Sequence, residues 1–234
     1  MGVRHQIGVM SRIATAFLIP DNHIGRATVS SIAVAHEVSL MGGKAIACIN
    51  ARDRNQLGFR RDLLTADAYG VTDFLFVYGD RPESGARSDD LTVQMMLDLA
   101  RRTEPERSTG RRLGVAARLG PLPSWKRDAD FLCVQVTHSL DALLAWREGV
   151  RFDGPVYAGV LVLPSAAMAR KLSGSVPQLA VDSAIIDQLD RQPDAGVDMA
   201  CELIVGIRQS GAFDGVHVIP VARYREVAER LERL

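Results

Sequence analysis

Cysteine is scarce and scattered: the 234 residues hold three, Cys48, Cys133 and Cys201, each among apolar neighbours. An odd, dispersed set without a CxxC pair excludes a disulfide scaffold and reads as buried, inert thiols in a reducing compartment. The five histidines, His5, His23, His36, His138 and His217, fall into no zinc spacing, so no metal site is expected. Net charge is lacking too, because 28 lysines and arginines balance 28 aspartates and glutamates. That leaves no global field to draw the chain to nucleic acid or to an anionic membrane, and neither partner is expected. No apolar run approaches the ~20 residues of a membrane span, and the first residues lack the apolar centre of a signal peptide, so a cytoplasmic location is expected. Neither GxGxxG nor a phosphate-binding GxxxxGK[ST] occurs; the one Gly-Lys pair, Gly43-Lys44, is followed by Ala45.

What is present is an average globular composition, 47% hydrophobic and 24% charged. A chain of this length buries roughly 70% of its unfolded surface, enough for one core without staples, so a single domain over 1–234 is expected. Short apolar runs predict strands at Ile13–Ile19, Lys44–Asn50, Asp73–Tyr78, Arg112–Ala117, Asp130–Gln135, Pro155–Leu161 and Gly215–Pro220. Between them, apolar residues at three- and four-residue steps predict helices at Val29–Leu40, Gly58–Tyr69, Thr92–Arg101, Leu140–Trp146 and Ala195–Gln209. The strands are continuously apolar, as in parallel sheets covered on both faces, and the βα succession predicts an α/β fold of the TIM (β/α)8-barrel type. Seven strands are one short of eight. The shortfall falls before Ile13, where too few residues remain for a βα unit: either the barrel lacks its first unit or the natural start lies upstream.

Polar residues recur just past the strand ends, where such a barrel carries its site. They are Asp21-Asn22, Arg52-Asp53-Arg54-Asn55, Gly79-Asp80-Arg81, Gln135 and Arg223. Arg52 to Asn55 form either an anion grip, with Asp53 capping the next helix or orienting an arginine, or an ion-pair cluster internal to the loop. Gly79 lets a ligand approach the backbone, and Asp80 is placed to bind paired donors of a pterin-like ring or to stabilise a developing cation; the alternative is a structural turn. Gln135 offers a donor and an acceptor to a heterocycle edge, or else is a buried amide satisfied by backbone. Arg81–Asp90, rich in Gly, Ser, Asp and Arg, reads as an active-site loop or mobile lid, and Thr103–Arg112 as a solvated connection.

The run INARDRNQLGFRRDLLTADAYGVTDFLFVYGDRP, Ile49 to Pro82, resembles the methylenetetrahydrofolate reductases, with their RDRN loop, DLL-A---G helix and strand ending in GD-P. The similarity extends upstream through PDNHIGRATVSSIAVAHEVSLMGG and downstream through ADFLCVQ and GVHVIPVARYREVAERL. The resemblance implies a flavin-binding TIM barrel that reduces 5,10-methylenetetrahydrofolate to 5-methyltetrahydrofolate, with FAD reloaded by NADH or NADPH. It implies Asp80 as the catalytic, pterin-contacting carboxylate and Gln135 as a folate contact. It implies Asn22, Arg52, Asp53, Arg54, Asn55, Gly79 and Arg118 around the flavin. The departures are equally specific. The family's first-strand glutamate, its general acid, has no counterpart; its third-strand histidine is Cys48; the aromatic covering the folate is Ala166 or a neighbour. The segment that holds the flavin's ribose and diphosphate is shortened to ARLGPLPSWKRDAD, where Arg118, Trp125, Lys126 and Arg127 are candidates for a smaller grip. These departures keep open a second reading, a non-catalytic folate-binding or partner subunit with a degenerate flavin site; a homo-oligomer is also compatible. A barrel lyase or aldolase would need a strand-end lysine or metal ligands, and Lys44 lies at a strand beginning.

Overall fold

A computed structural model describes residues 2–80, 83–103, 110–175, 179–192 and 194–233, the side chains of Ile24 and Ser175 excepted. The strands are β1 (Phe17–Ile19), β2 (Ala45–Asn50), β3 (Asp73–Val77), β4 (Arg112–Ala117), β5 (Phe131–Val134), β6 (Val156–Leu161) and β7 (Gly215–Ile219). The helices are α1 (Val3–Met10), α2 (Ser31–Leu40), α3 (Gln56–Ala68), α4 (Val93–Arg102), α5 (Leu140–Gly149), α6 (Ala166–Ser175), α7 (Ser183–Arg191), α8 (Ala195–Ser210) and α9 (Tyr224–Leu231). The seven strands form one parallel sheet in chain order, alternating with helices, which is the α/β arrangement of the TIM-barrel type. Contacts divide the chain into two compact units: Ala14–Ala116 with Leu122–Leu132, the N-proximal unit, and Met1–Ile13, Ala117–Pro121 and Cys133–Leu234, the C-proximal unit.

All seven predicted strands are present, but β1 starts at Phe17 rather than Ile13. Phe17 pairs with Ala45, the first residue of β2, so residues upstream of it meet no partner strand. The stretch before Ile13 holds the helix α1, which packs on α9 and sets His5 edge-on to Tyr224. Helices α1, α6, α7 and α9 were not among the predicted ones. A sequence signal existed for α7, where Asp182 accepts a hydrogen bond from the Ala184 N–H as a helix cap.

In the N-proximal unit the helices bury one apolar stripe each. Ile32, Ala35 and Val38 of α2, Phe59, Leu63 and Ala66 of α3, and Met96, Leu97 and Ala100 of α4 are all buried. Phe59 meets Phe76 of β3 edge-on at 5.5 Å, so Phe74 and Phe76 form the helix-facing side of that strand. Register pairs Cys48 with Leu75 and Leu75 with Gly114 on the opposite face. A side chain at Gly114 would lie 2.2 Å from the Phe131 ring, so glycine there makes room for the aromatic, over which the Arg112 guanidinium stacks at 4.7 Å. At the strand beginnings burial holds the Asp73 carboxyl above its usual range, against the opposing pull of Arg112 and Lys44.

In the C-proximal unit β6 and β7 pair from Tyr157 with Gly215 to Leu161 with Ile219. Asp214 fixes that register: its backbone N–H donates to the Val156 carbonyl at 3.0 Å and its carboxylate accepts from the Val156 N–H at 2.8 Å. Helices α6, α7 and α8 close an apolar cluster with Val136, Leu161 and Leu163. The three cysteines are buried and free, and burial raises the Cys201 thiol. Among the described residues no helix is long and apolar enough to cross a membrane, and no group of three or more metal-ligating side chains gathers.

Candidate functional site at the strand ends

The polar loops that follow β1, β2 and β3 meet on one rim of the N-proximal unit, and a buried residue organises them. Asn50, the last residue of β2, is buried. Its backbone N–H and its side-chain amide both donate to the Asp21 carboxylate, at 3.0 and 2.9 Å, and the amide also reaches Asp53 at 2.9 Å. The Asn50 carbonyl side-chain oxygen accepts from the Asp53 N–H at 3.0 Å. Asn22 donates to the same Asp53 carboxylate at 3.0 Å, while its own oxygen accepts from the Thr28 N–H at 2.9 Å. The β1 and β2 loops are thereby one hydrogen-bonded piece.

Arg54 crosses that piece. It donates to Asp21 and to Asp62 of α3, each at 2.6 Å, and to the Asn50 carbonyl at 3.1 Å. Burial by itself would lower its pKa, but the bonds and charges of Asp21 and Asp62 outweigh burial and raise it. Asn55, not Asp53, caps α3: its side-chain oxygen accepts from the Gly58 N–H at 2.8 Å. Of the two sequence readings of Arg52 to Asn55, ion pairing holds for Arg54, but with carboxylates outside the loop, while Asp53 bonds Asn22 and Asn50 and Asn55 caps α3. Sequence reasoning did not single out Asn50 or Asp62; an asparagine ending an apolar strand was the available signal.

Gly79 is the third fixed point. It has φ +94°, and a Cβ there would stand 2.9 Å from the Asn50 Cβ. Gly79→Ala is therefore expected to cost about 2–5 kcal/mol, the sum of left-handed strain and overpacking. Urea unfolding measures it, with Gly42→Ala as control: Gly42 has φ +81° but nothing within 4 Å, so only the backbone share is expected. Asp80 follows Gly79 and is exposed. Arg81 and Pro82 lie outside the described residues. The loop beyond them is tied down rather than loose as far as it is described. The Glu83 N–H donates to the Gly25 carbonyl at 2.9 Å, the Ser88 N–H to the Arg52 carbonyl at 2.7 Å, and the Gln56 N–H to the Asp90 carboxylate at 2.7 Å. Of the connection at Thr103–Arg112, residues 104–109 lie outside the described residues.

The C-proximal unit carries the remaining candidates. Gln135 follows β5, donates its N–H to the Ala117 carbonyl at 2.7 Å, and is exposed rather than buried. Arg118, past β4, is likewise exposed. Arg223 is ion-paired to Asp194 and Glu226. Beyond Gln135 two adjoining cavities of about 500 and 290 Å³ share His138, Leu140 and Ile185 as walls. Burial lowers the His138 pKa, so the imidazole lines them as a neutral ring at pH 7.

No protein-family profile matches the chain, and no curated protein matches it. At the level of fold the chain is similar to an uncharacterized protein from Clostridium thermocellum that binds two copies of 5-methyl-5,6,7,8-tetrahydrofolic acid. The TM-score is 0.66 at 10% identity, over 99% of this chain and 89% of that one. A likeness at that identity is one of fold.

Whether these residues fit a flavin is a question of which polar groups remain uncommitted. Asn22, Asp53, Arg54 and Asn55 are engaged with one another, with Asn50, Asp21 and Asp62, or with the α3 cap. In the shortened segment Lys126 donates to the Ala116 carbonyl at 2.6 Å and lies over the Trp125 ring. Arg127 is exposed. Part of the donor and acceptor set expected around a flavin is thus committed to the protein itself.

Proposed function

We propose that this chain binds a reduced folate at its strand ends and reduces 5,10-methylenetetrahydrofolate to 5-methyltetrahydrofolate with hydride from NADH or NADPH. The observation that carries this reading is the mounting of Asp80: an exposed carboxylate directly after a glycine pressed against Asn50, which Asp21 and Asp53 in turn hold. A carboxylate on so fixed a turn is pre-aimed, which is what electrostatic stabilisation of a cation needs. Support comes from the ordered resemblance between Asp21 and Pro82 and from a shared fold with a protein that binds 5-methyltetrahydrofolate.

In this reading Asp80 accepts from the paired N–H donors of the pterin and stabilises the iminium cation formed when the methylene bridge opens. The bond from the methylene carbon to N10 breaks as N10 takes a proton from water, leaving the N5 iminium; hydride from the nicotinamide, which is oxidised, then forms the new C–H bond and the iminium π pair returns to N5. FAD as an intermediate carrier belongs to the resemblance; no step is assigned to it, given the engaged side chains.

The second reading, folate binding without turnover, is favoured by a specific feature. Asp21, the buried carboxylate of the rim, accepts from the Asn50 backbone and side-chain N–H groups and from Arg54, so it is committed to holding the loops together rather than to a reacting ligand. Titration calorimetry with 5-methyltetrahydrofolate and an NADH-oxidation assay with methylenetetrahydrofolate separate the two. Under the reductase reading the wild type binds folate and oxidises NADH in a substrate-dependent way, and Asp80→Ala loses about 10- to 100-fold in affinity, the worth of a charged hydrogen bond. Binding without oxidation selects the second reading, and a wild type that binds no folate sinks both.

A further inference from the structure

The described arginines of this rim divide unevenly. Arg26 meets Glu83 at 3.1 Å, Arg54 holds Asp21 and Asp62, and Arg87 meets Asp89 at 2.8 Å. Arg52 is different: among the described residues no carboxylate or carbonyl takes its guanidinium, and its Nε is buried without an acceptor. An arginine offers five N–H donors, and a buried donor left unpaired costs about 1–3 kcal/mol.

The side chain is nevertheless held. The Arg52 N–H donates to the Tyr78 carbonyl at 3.1 Å, and its carbonyl accepts from the Ser88 N–H at 2.7 Å. Its guanidinium lies 4.8 Å over the Tyr78 ring, and Arg87 steadies that ring by donating to the Tyr78 hydroxyl at 3.1 Å. Stacking on an aromatic face fixes the plane of a guanidinium while leaving its edge available.

We infer that Arg52 is an oxyanion-recognition residue, its terminal nitrogens taking a carboxylate or phosphate group of the ligand bound at this rim. A planar fork matches the paired oxygens of either group. Given the folate reading, on which the first source rests, the oxyanion is the glutamyl carboxylate of the folate; the second source is a phosphate of the nicotinamide nucleotide. Asp80 and Arg52 then sort the ligand by chemistry, the carboxylate for ring donors and the guanidinium for acid groups.

Calorimetry on wild type, Arg52→Gln and Arg52→Lys with 5-methyltetrahydrofolate, methyltetrahydropterin, NADH and inorganic pyrophosphate tests this. Arg52→Gln is expected to lose about 10- to 100-fold for the oxyanion-bearing ligand, and Arg52→Lys, which keeps the charge but not the fork, to lose most of that. A loss for the folate but not for the pterin that lacks glutamate identifies the carboxylate source. A loss for NADH and pyrophosphate identifies the phosphate source, and stands even if the wild type binds no folate. Should Arg52→Gln fail to fold, the folded Arg52→Lys protein gives the same comparison. The inference is overturned if folded variants bind every probe as the wild type does, if folate and pterin weaken equally with no effect on pyrophosphate, or if the wild type binds none of the four.

Discussion

Arg54→Ala is expected to destabilise the protein by about 3–5 kcal/mol, as breaking a buried ion pair from one side does. The Asp21, Arg54 and Asp62 side chains are 3%, 16% and 15% exposed, so removing the guanidinium leaves the shielded Asp21 with no cation, only its Asn50 bonds, and Asp62 with only the exposed Arg61. The cost comes from leaving those charges uncompensated, not from the strength of the pair, because desolvation offsets much of the attraction between buried charges. Arg54→Lys is expected to recover part of the loss: one ammonium nitrogen replaces the two guanidinium nitrogens, Nε and Nη1, that meet Asp62 and Asp21 separately. Arg26→Ala, whose pair with Glu83 is 69% and 61% exposed, is expected to leave the unfolding midpoint nearly unchanged. Urea unfolding at low and high salt checks all three. The Arg54 effect should persist at high salt, since shielded charges are screened least. An Arg54→Ala protein within about 1 kcal/mol of wild type would show that the clamp is not built as described.

The second large effect lies in the C-proximal unit. Gly196→Ala is expected to cost about 3 kcal/mol or more, at the upper end of overpacking. A Cβ on Gly196 would stand 1.8 Å from the Leu163 carbonyl oxygen and 3.2 Å from the Leu189 side chain. Backbone cannot retract as a side chain can, so α8 would have to lift off Leu163 and open the cluster that Leu163, Leu189 and Ala195 share. Gly206→Ala, on the same helix, gives the contrast: its nearest obstacle, at 2.7 Å, is the flexible end of Leu140, and a rotamer change relieves it. The difference in thermal midpoint between the two variants is the measurement; equal midpoints would contradict the close approach of α8 to Leu163.

The candidate rim was partly legible before the fold was known. Asp21, Arg52 to Asn55, Gly79 and Asp80 each follow an apolar strand run, and chain order alone places such residues past strand ends. Their division of labour was not legible. Arg52 and Arg54 are the same residue type in the same loop, yet one stacks on Tyr78 with an unpaired Nε and the other is spent on Asp21 and Asp62. Asp21 and Arg54 stand 33 positions apart, and no local pattern announces that pairing. Asn50 closes a predicted strand, and only its distant partners reveal it as buried and tying two loops together.

By itself the sequence determined the strands, most of the helices and the class of fold. Those follow from interactions between near neighbours: runs of apolar side chains, helical spacing and capping residues act within a few positions of the chain. Tertiary structure alone decided which polar groups are satisfied and which stay available, where glycine is compulsory, and how far β1 extends. Each of those depends on a partner brought alongside from a distant part of the chain, and a hydrogen bond, an ion pair or a steric limit exists once that partner is in place.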